Sequence, residues 1–530
     1  MKLIRRLRYL LNHRKLDREL AEEMEFHQAM AGRLAMGNST LAREDARAVW
    51  IVPWAEGVAQ DLVYALRGFA RQPGFTAIAV LALASAIGLN TSLFTVFNAV
   101  ALRPWNVKEP GRLVKAYTWQ RNPPKGFDNA GGFSLAEMPY LERHARTVAG
   151  IFAARGEGGV RLEGAKALVG YVSGAYFRVL GLDMERGRGF LPEEDRADAP
   201  EAVAVLSHAA WQNSFGGDAE IVGRRIRFAD RLFTVVGVAP EGFPGTSPEV
   251  TDLWLPMAAM RLTYADEAWV RAFLSDPHNC CVDLSARLAP GASRAAAQAE
   301  LSVLHVAFQE QVHLKTDGVA LAGTALLEKP GRKTRQVYAV FGLMFAGVML
   351  VLLLACANVG NLLLARGAAR RREIGIRLSV GAGRARLVRQ LLTESLALAL
   401  LAAAVGVTVA YRLPGPLFRS AVGEVSFDLK PDTTVLGFTL ALALLACVAF
   451  GLAPAIHATR GNLNAAMQTS PRRFVLRSIL LAVQVAISVV LLAGTGLLTR
   501  GIQQARTQDL GFRVDGLASV SLEFPAGAYG

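Results

Sequence analysis

Histidine and cysteine are scarce in this chain of 530 residues, eight and four in all, and no Cys and His spacing resembles a zinc site. Charge is thin as well: 19% of residues are charged against 52% hydrophobic, with a mean hydropathy of +0.29. A soluble chain of this length would divide into about three or four domains and carry more polar surface than this. No G-x-x-x-x-G-K-[ST] cradle occurs, and Gly331-Arg332-Lys333-Thr334 lacks the spaced glycine that would precede it, so nothing here grips nucleotide phosphates in the P-loop manner. H-E-x-x-H and G-x-S-x-G are missing too, which leaves no enzyme signature and no metal or cofactor expected on this chain.

What is abundant is apolar sequence. Charge-free stretches near the twenty or so residues that cross a hydrocarbon core run from Phe75 to Leu102, Val337 to Ala365, Thr433 to Ile456 and Ser478 to Thr499. A shorter fifth, Ser395 to Tyr411, is rich in Leu, Ala and Val and extends backward through Leu391 and Leu392. About five transmembrane helices are therefore expected. Within them Asn90, Asn98, Asn358, Asn361 and Gln484 are the main strongly polar side chains, and no ionisable group sits at a span centre as a proton or ion relay would require. That pattern fits a mechanical transmitter better than a wide polar pore.

Basic residues near span ends mark the cytoplasmic side. The first 72 residues carry 12 Lys or Arg, the segment 366–394 carries eight Arg, and 458–477 carries Arg460, Arg472, Arg473 and Arg477, whereas 412–432 balances Arg412, Arg419 and Lys430 against Glu424, Asp428 and Asp432. The amino terminus is thus expected inside, with 103–335 outside. The net charge of +14 sits mostly in these inside flanks, where topology and anionic lipid account for it without nucleic acid. About 70 mostly polar residues precede the first span, unlike a cleaved signal.

Residues 1–72 read as a cytoplasmic helical prefix: Leu16, Leu20, Met24, His27 and Leu34 recur at helical spacing, Asn38-Ser39-Thr40 offers an N-cap for a helix through Ala46 to Trp50, and a basic stretch from Asp61 to Arg71 lies at the inner interface, interrupted by Pro73 and Gly74. Span 1 (73–102) leads to an outside domain (103–335) of mixed α/β character. There Val203 to Leu206 and Phe233 to Val238 read as strands, Gly216, Gly217, Gly223 and Pro240 as turns, and Ala295 to Phe308 as a helix. Spans 2–4 fill 336–460, a linker follows at 461–477 and span 5 at 478–499, which puts 500–530 outside again. Cys280 and Cys281 adjoin in the outside domain, where a disulfide is permitted although a bridge between neighbours is strained; with Cys356 and Cys447 inside spans, all four read as structural.

The segment Arg366 to Glu394 carries the most information. Glu373 and Arg377 are spaced as a helical i to i+4 pair, and Gly381-Ala382-Gly383 breaks two short helical stretches. Its arginines alone could merely fix topology, but the ordered apolar residues Ile374, Ile376, Leu378, Val380, Leu387 and Val388 make it a rigid elbow suited to engaging a cytoplasmic protein. Glu394, an acid at the membrane edge amid arginines, pairs with Arg389 or Arg386, or helps seat that protein.

These residues resemble the permease subunits of the MacB and FtsX class of ABC systems. Asn358-Val359-Gly360-Asn361-Leu362-Leu363-Leu364-Ala365-Arg366, then Arg371-Arg372-Glu373-Ile374-Gly375-Ile376-Arg377 and Gly381-Ala382, look like that family's second span and coupling segment; Leu391-Leu392-Thr393-Glu394-Ser395 looks like its third span's start, and Gly451-Leu452-Ala453-Pro454-Ala455 with Arg460 like the end of its fourth. In the outside domain Val172-Ser173-Gly174-Ala175-Tyr176-Phe177, Leu180-Gly181, Val205-Leu206-Ser207, Trp211, Phe215-Gly216-Gly217-Asp218, Val236-Gly237-Val238-Ala239-Pro240 and Trp254-Leu255-Pro256 resemble the MacB periplasmic core. The charged prefix and the fifth span are similar to the acidobacterial duplicated orphan permease (ADOP) subgroup. Leu66-Arg67 parallels Leu476-Arg477, and Gly111-Arg112-Leu113-Val114 parallels Asp515-Gly516-Leu517-Ala518, so the resemblance implies that 500–530 is the start of a second, truncated outside domain.

The resemblance implies an α-helical inner-membrane protein with an inserted α/β domain, working with a separate cytoplasmic ATPase that binds the ATP. Arg371, Arg372, Glu373, Ile374, Gly375, Arg377, Gly381 and Glu394 are the implied coupling residues. A periplasmic adaptor or outer-membrane channel, and either a homodimer or an internal pseudo-dimer, are the further partners implied. Two uses remain open at this level: export through the periplasmic domain, or non-transporting control of a periplasmic partner as in FtsX-type regulators.

Overall fold

The computed structural model describes residues 53–123, 128–162, 165–228, 231–247, 250–264, 266–314, 316–369, 376, 384–416, 429–452 and 472–506. The prefix helices expected between Leu16 and Trp50, most of the 461–477 linker and the stretch after 506 lie outside these residues. Among the described residues five helices are long and apolar enough to cross a membrane: Pro73–Leu102, Arg332–Arg366, Ala385–Pro416, Thr433–Leu452 and Leu481–Gln504, hereafter spans 1 to 5. Span 3 is longer than its apolar run, because its helix starts at Arg384 and carries Arg386, Arg389 and Glu394 in its first turns. Spans 1 and 4 each finish in a π-helical turn, Asn98–Leu102 and Val448–Leu452.

The chain divides into two compact units, one of 1–91, 347–409 and 436–501 and the other of 92–346, 410–435 and 502–530. The first is the membrane bundle. Its core joins Leu83, Ala84 and Ile87 of span 1, Leu352 and Val359 of span 2, Ala399 and Ala402 of span 3 and Ala443, Ala446 and Phe450 of span 4. Small residues bring the helix backbones close: a Cβ added at Gly88 would lie 3.3 Å from the Cα of Gly406, and one added at Gly451 would lie 2.8 Å from the Ser395 side chain.

The span asparagines and Gln484 find interhelical partners, since polar groups inside a hydrocarbon layer have no water to turn to. The Asn90 amide donates to the carbonyl oxygens of Ala86 and of Val348, each at 2.9 Å, and Thr91 meets Thr439 of span 4 at 3.1 Å. Gln484 donates to Asn358 Oδ1 at 2.7 Å and accepts from Asn361 Nδ2 at 3.2 Å, fastening span 5 to span 2. Elsewhere span 5 exposes large apolar side chains such as Leu481, Val485, Val489 and Leu492.

The second unit holds the inserted domain. Its strands are β1 (Leu113–Trp119), β2 (Ala130–Gly131), β3 (Val148–Leu162), β4 (Ala165–Val172), β5 (Arg186–Gly187), β6 (Val203–Leu206), β7 (Arg225–Phe228), β8 (Arg231–Val238), β9 (Leu253–Pro256), β10 (Asp283–Leu288) and β11 (Gly318–Ala322). They form one mixed sheet in the order β11-β1-β10-β3-β4-β9-β6-β8-β5, with β2 on β1 and β7 on β3 and β8. The β4–β9 and β6–β8 pairs are parallel, the others antiparallel. Alternate side chains enter two cores, as the strand period of two requires: Ile151, Ala153, Ala204 and Leu206 join one, Phe152, Ala154, Val203 and Val205 the other.

The expected strand 203–206 matches β6, the expected strand 233–238 forms most of β8, and the expected helix spans Arg294–Gln311. Ser293 caps that helix by accepting the Ala296 N–H at 3.1 Å. Gly216 ends helix His208–Phe215 at φ 63, a left-handed cap that suits glycine. Cys280 and Cys281 are paired with each other across a cis peptide bond, while Cys356 and Cys447 are free and buried.

Candidate functional site

Of the eight residues singled out for coupling, Arg371, Arg372, Glu373, Ile374, Gly375, Arg377 and Gly381 lie outside the described residues. What the structure places are the flanks of that segment. Arg366 ends span 2 with its guanidinium 4.7 Å from the Phe75 ring centroid of span 1, a cation–π contact available where a charged residue meets the apolar layer. Ile376 is 56% exposed. Glu394 is half-buried in the first turns of span 3.

Arg389 takes a partner that sequence reasoning passed over. Its Nε donates to Asp61 Oδ2 at 3.0 Å, and Asp61 belongs to the helix Pro53–Arg71 that precedes span 1. Ala65 and Phe69 of that helix are buried in the membrane-bundle core, while Leu62, Val63 and Leu66 are exposed. The clue in the sequence was an isolated acid, Asp61, at helical spacing from Ala65 and Phe69. Nothing in the sequence names its partner 328 positions away.

At the other end of the spans a second charged cluster forms within the inserted-domain unit. Asp432 caps span 4 by accepting the Val435 N–H at 3.0 Å, and its Oδ2 takes Asn98 Nδ2 at 2.9 Å and Arg103 Nη2 at 3.0 Å. Burial raises the Asp432 carboxyl, but the Val435 amide, Asn98 and Arg103 outweigh it and hold the group below its ordinary range. One carboxylate thus ties the π-turn that ends span 1 to the start of span 4. Phe97 of span 1 packs edge-on against Phe341 and Phe345 of span 2, with ring centroids 5.3 and 5.7 Å away.

The chain leaving span 1 seats on β1. Trp105 N–H donates to Thr324 Oγ1 at 3.3 Å, and the Lys115 ammonium lies 4.6 Å from the Trp105 ring centroid. Loss of water pushes Lys115 down to about 8, further lowered by Lys329 and only partly restored by Asp283 and Glu328. The segment leading to span 2 is held in turn by Lys329 over the Tyr117 ring at 5.3 Å and by the Arg332 N–H on Asp128 at 2.9 Å.

Deeper in the domain, His305 Nδ1 contacts Glu137 Oε1 at 2.6 Å, His305 Nε2 contacts Thr316 at 3.0 Å, and Gln309 donates to Glu137 at 3.1 Å. All of Glu137, His305 and Gln309 are buried, so this is a satisfied internal network. Asp195 joins three loops by accepting the Gly174 and Ala258 N–H groups, each at 2.8 Å. Among the described residues no three His, Cys, Asp or Glu side chains gather as metal ligands. Within each unit, charged and aromatic contacts join helices to the segments that lead into and out of them.

Residues 76–304 match the MacB-like periplasmic core domain, and residues 345–463 match the FtsX-like permease C-terminal domain. The macrolide export ATP-binding/permease protein MacB of Shewanella oneidensis is 26% identical over 343 residues, 62% of this chain and 46% of that protein. A probable export ATP-binding/permease protein of Pseudomonas fluorescens is 27% identical over 297 residues, 56% of this chain and 42% of its own length. The chain spans less than half the length of these relatives. Among solved structures, the periplasmic region of MacB from Actinobacillus actinomycetemcomitans aligns with a TM-score of 0.30 at 12% identity, covering 46% of this chain and 95% of that one. Both domain matches fall in the expected order, the first reaching from span 1 through the inserted α/β domain and the second running over spans 2 to 4, and on them this multi-pass chain belongs to the MacB/FtsX-type permeases of ABC systems.

Proposed function

We propose that this chain is the permease of an ABC-type export or mechanotransmission system, in which a separate cytoplasmic ATPase engages the segment 366–394 and its closure moves the spans and the periplasmic domain. The observation that carries the reading is the pairing of an FtsX-like permease region at 345–463 with a periplasmic-core domain at 76–304 in a sequence that contains no Walker A motif. The distribution of Lys and Arg supports a cytoplasmic amino terminus with 103–335 outside. The names of the relatives, which join ATP-binding to permease, support ATP as the energy source, supplied here in trans.

Arg371, Arg372, Glu373, Ile374, Gly375, Arg377, Gly381 and Glu394 are the proposed coupling residues. A periplasmic adaptor or an outer-membrane channel completes the export path, and two permease units, from two chains or two repeats, match the paired sites of a dimeric ATPase. The charged prefix and span 5, which follows the FtsX-like region, support placement in the ADOP subgroup.

The test is purification of the full-length protein from native membranes, with ATPase activity measured on what accompanies it. An ATP-binding partner should co-purify, and the double change Arg372→Glu, Arg377→Glu should release it. If no ATPase accompanies the wild-type chain, the permease reading fails and control of a periplasmic partner without transport takes its place.

A further inference from the structure

Both flanks of the coupling segment are held by one short stretch of chain. On one side Arg366, the last residue of span 2, stacks at 4.7 Å on the ring of Phe75. On the other, Arg389 in the first turns of span 3 binds Asp61 at 3.0 Å. Asp61 and Phe75 lie 14 positions apart, across the break between the pre-span helix Pro53–Arg71 and span 1 at Pro73.

That break is spliced. Gln72 N–H donates to Phe69 O at 3.3 Å and Thr76 N–H to Gln72 O at 3.2 Å, while the Thr76 hydroxyl reaches the carbonyls of Phe69 and Gln72 at 3.3 and 3.0 Å. Proline at 73 has no N–H to continue the ladder, so a bend is expected there, and the threonine hydroxyl bridges it. Ala65 and Phe69 anchor the pre-span helix in the same core as Ala397, Leu398 and Leu352.

We propose that the pre-span helix and its spliced bend form a cradle that sets the position of the coupling segment, with Asp61 as the positioning residue that fixes the span 3 flank through Arg389. The inference rests on the coupling role proposed for 366–394. The Asp61–Arg389 pair is partly open to solvent, with side chains 13% and 34% exposed; a pair of this kind adds little stability. Its effect is directional: it holds the guanidinium of Arg389 toward the pre-span helix, so a push on the coupling segment displaces that helix and the start of span 1 together.

The experiment uses the full-length chain in native membranes with its co-purifying ATPase and compares wild type, Asp61→Arg, and the swap Asp61→Arg with Arg389→Asp. Recovery of the ATPase should be unchanged in Asp61→Arg, whose altered residue lies outside the segment 366–394, and stimulation in every variant is expressed per recovered ATPase. Stimulation of ATPase activity by the permease should fall in Asp61→Arg by about five- to tenfold, the reach of a change near 1.4 kcal/mol in one conformational equilibrium, and the swap should restore it to within about twofold of wild type. A second measurement needs no ATPase: trypsin cleavage at the arginines of 370–377 in membranes should speed up in Asp61→Arg and return to the wild-type rate in the swap. Cleavage and stimulation that ignore the charge reversal, or a swap that fails to restore them, overturn the cradle. Absence of any ATPase with the wild-type chain overturns the coupling role itself, and the cleavage comparison still decides whether Asp61 positions the segment.

Discussion

Replacing Gly406 with Ala sets a methyl carbon 3.0 Å from the backbone nitrogen of Gly88 and 3.3 Å from both the Gly88 Cα and Ile87 Cγ2. Two of these three neighbours are backbone atoms of span 1 and cannot rotate aside, so spans 1 and 3 must part by a few tenths of an ångström. Overpacking of this kind costs about 1–3 kcal/mol, and the better helix propensity of alanine returns about 1 kcal/mol, leaving a net loss of up to about 2 kcal/mol. Gly437 in span 4 supplies the control, because nothing lies within 4 Å of a Cβ added there; Gly437→Ala should be neutral or stabilise by up to about 1 kcal/mol. At about 2–4 °C per kcal/mol for a unit of this size, Gly406→Ala should melt below wild type by up to about 8 °C and Gly437→Ala at or slightly above it. The assay is the temperature at which the detergent-solubilised protein leaves its monodisperse peak, at one fixed heating time since such unfolding is irreversible. Equal shifts in the two variants would refute the close approach of spans 1 and 3.

Burial pushes Asp195 up to about 6, against the N–H groups of Ala258, Gly174 and Met257 that favour its charge. A raised carboxyl means that the folded domain keeps a proton the unfolded chain has lost, so its contribution is full below the ordinary value of 3.8 and drains away as pH rises through about 6. The inserted domain should therefore lose about 1 kcal/mol between pH 5 and pH 7 from this group, and Asp195→Asn should flatten that slope in a melting series. Asp432 works the other way: held below its ordinary range, it stabilises above the unfolded carboxyl value and loses that contribution as pH falls. Asp432→Asn, which keeps a capping oxygen but drops the charge facing Arg103, should cost about 1 kcal/mol at pH 7 and lose its acid-side dependence, read by denaturation across pH 3 to 7. Gln484→Leu removes both hydrogen bonds between spans 5 and 2, at about 0.6–1.7 kcal/mol each; proteolysis of the Arg472–Arg506 helix should quicken in membranes, and an unchanged rate would count against the clasp.

By itself the sequence determined what depends on neighbours along the chain. Five apolar runs became five membrane-length helices because hydrocarbon thickness sets helix length directly, and the strand at 203–206 followed from four consecutive apolar residues between turn signals. The motif order around 172–256 and 358–394 was enough to place the family. Tertiary structure alone decided which charges and amides meet: Arg389 with Asp61, Asp432 with Asn98 and Arg103, Gln484 with Asn358 and Asn361. Each of these pairings joins positions more than a hundred residues apart, and no periodicity encodes a partner at that distance. The pre-span helix makes the same point. Its pattern of charged and apolar residues fits a surface helix as well as a packed one, and only the backbone approach of spans 1, 3 and 4 creates the core in which Ala65 and Phe69 are buried.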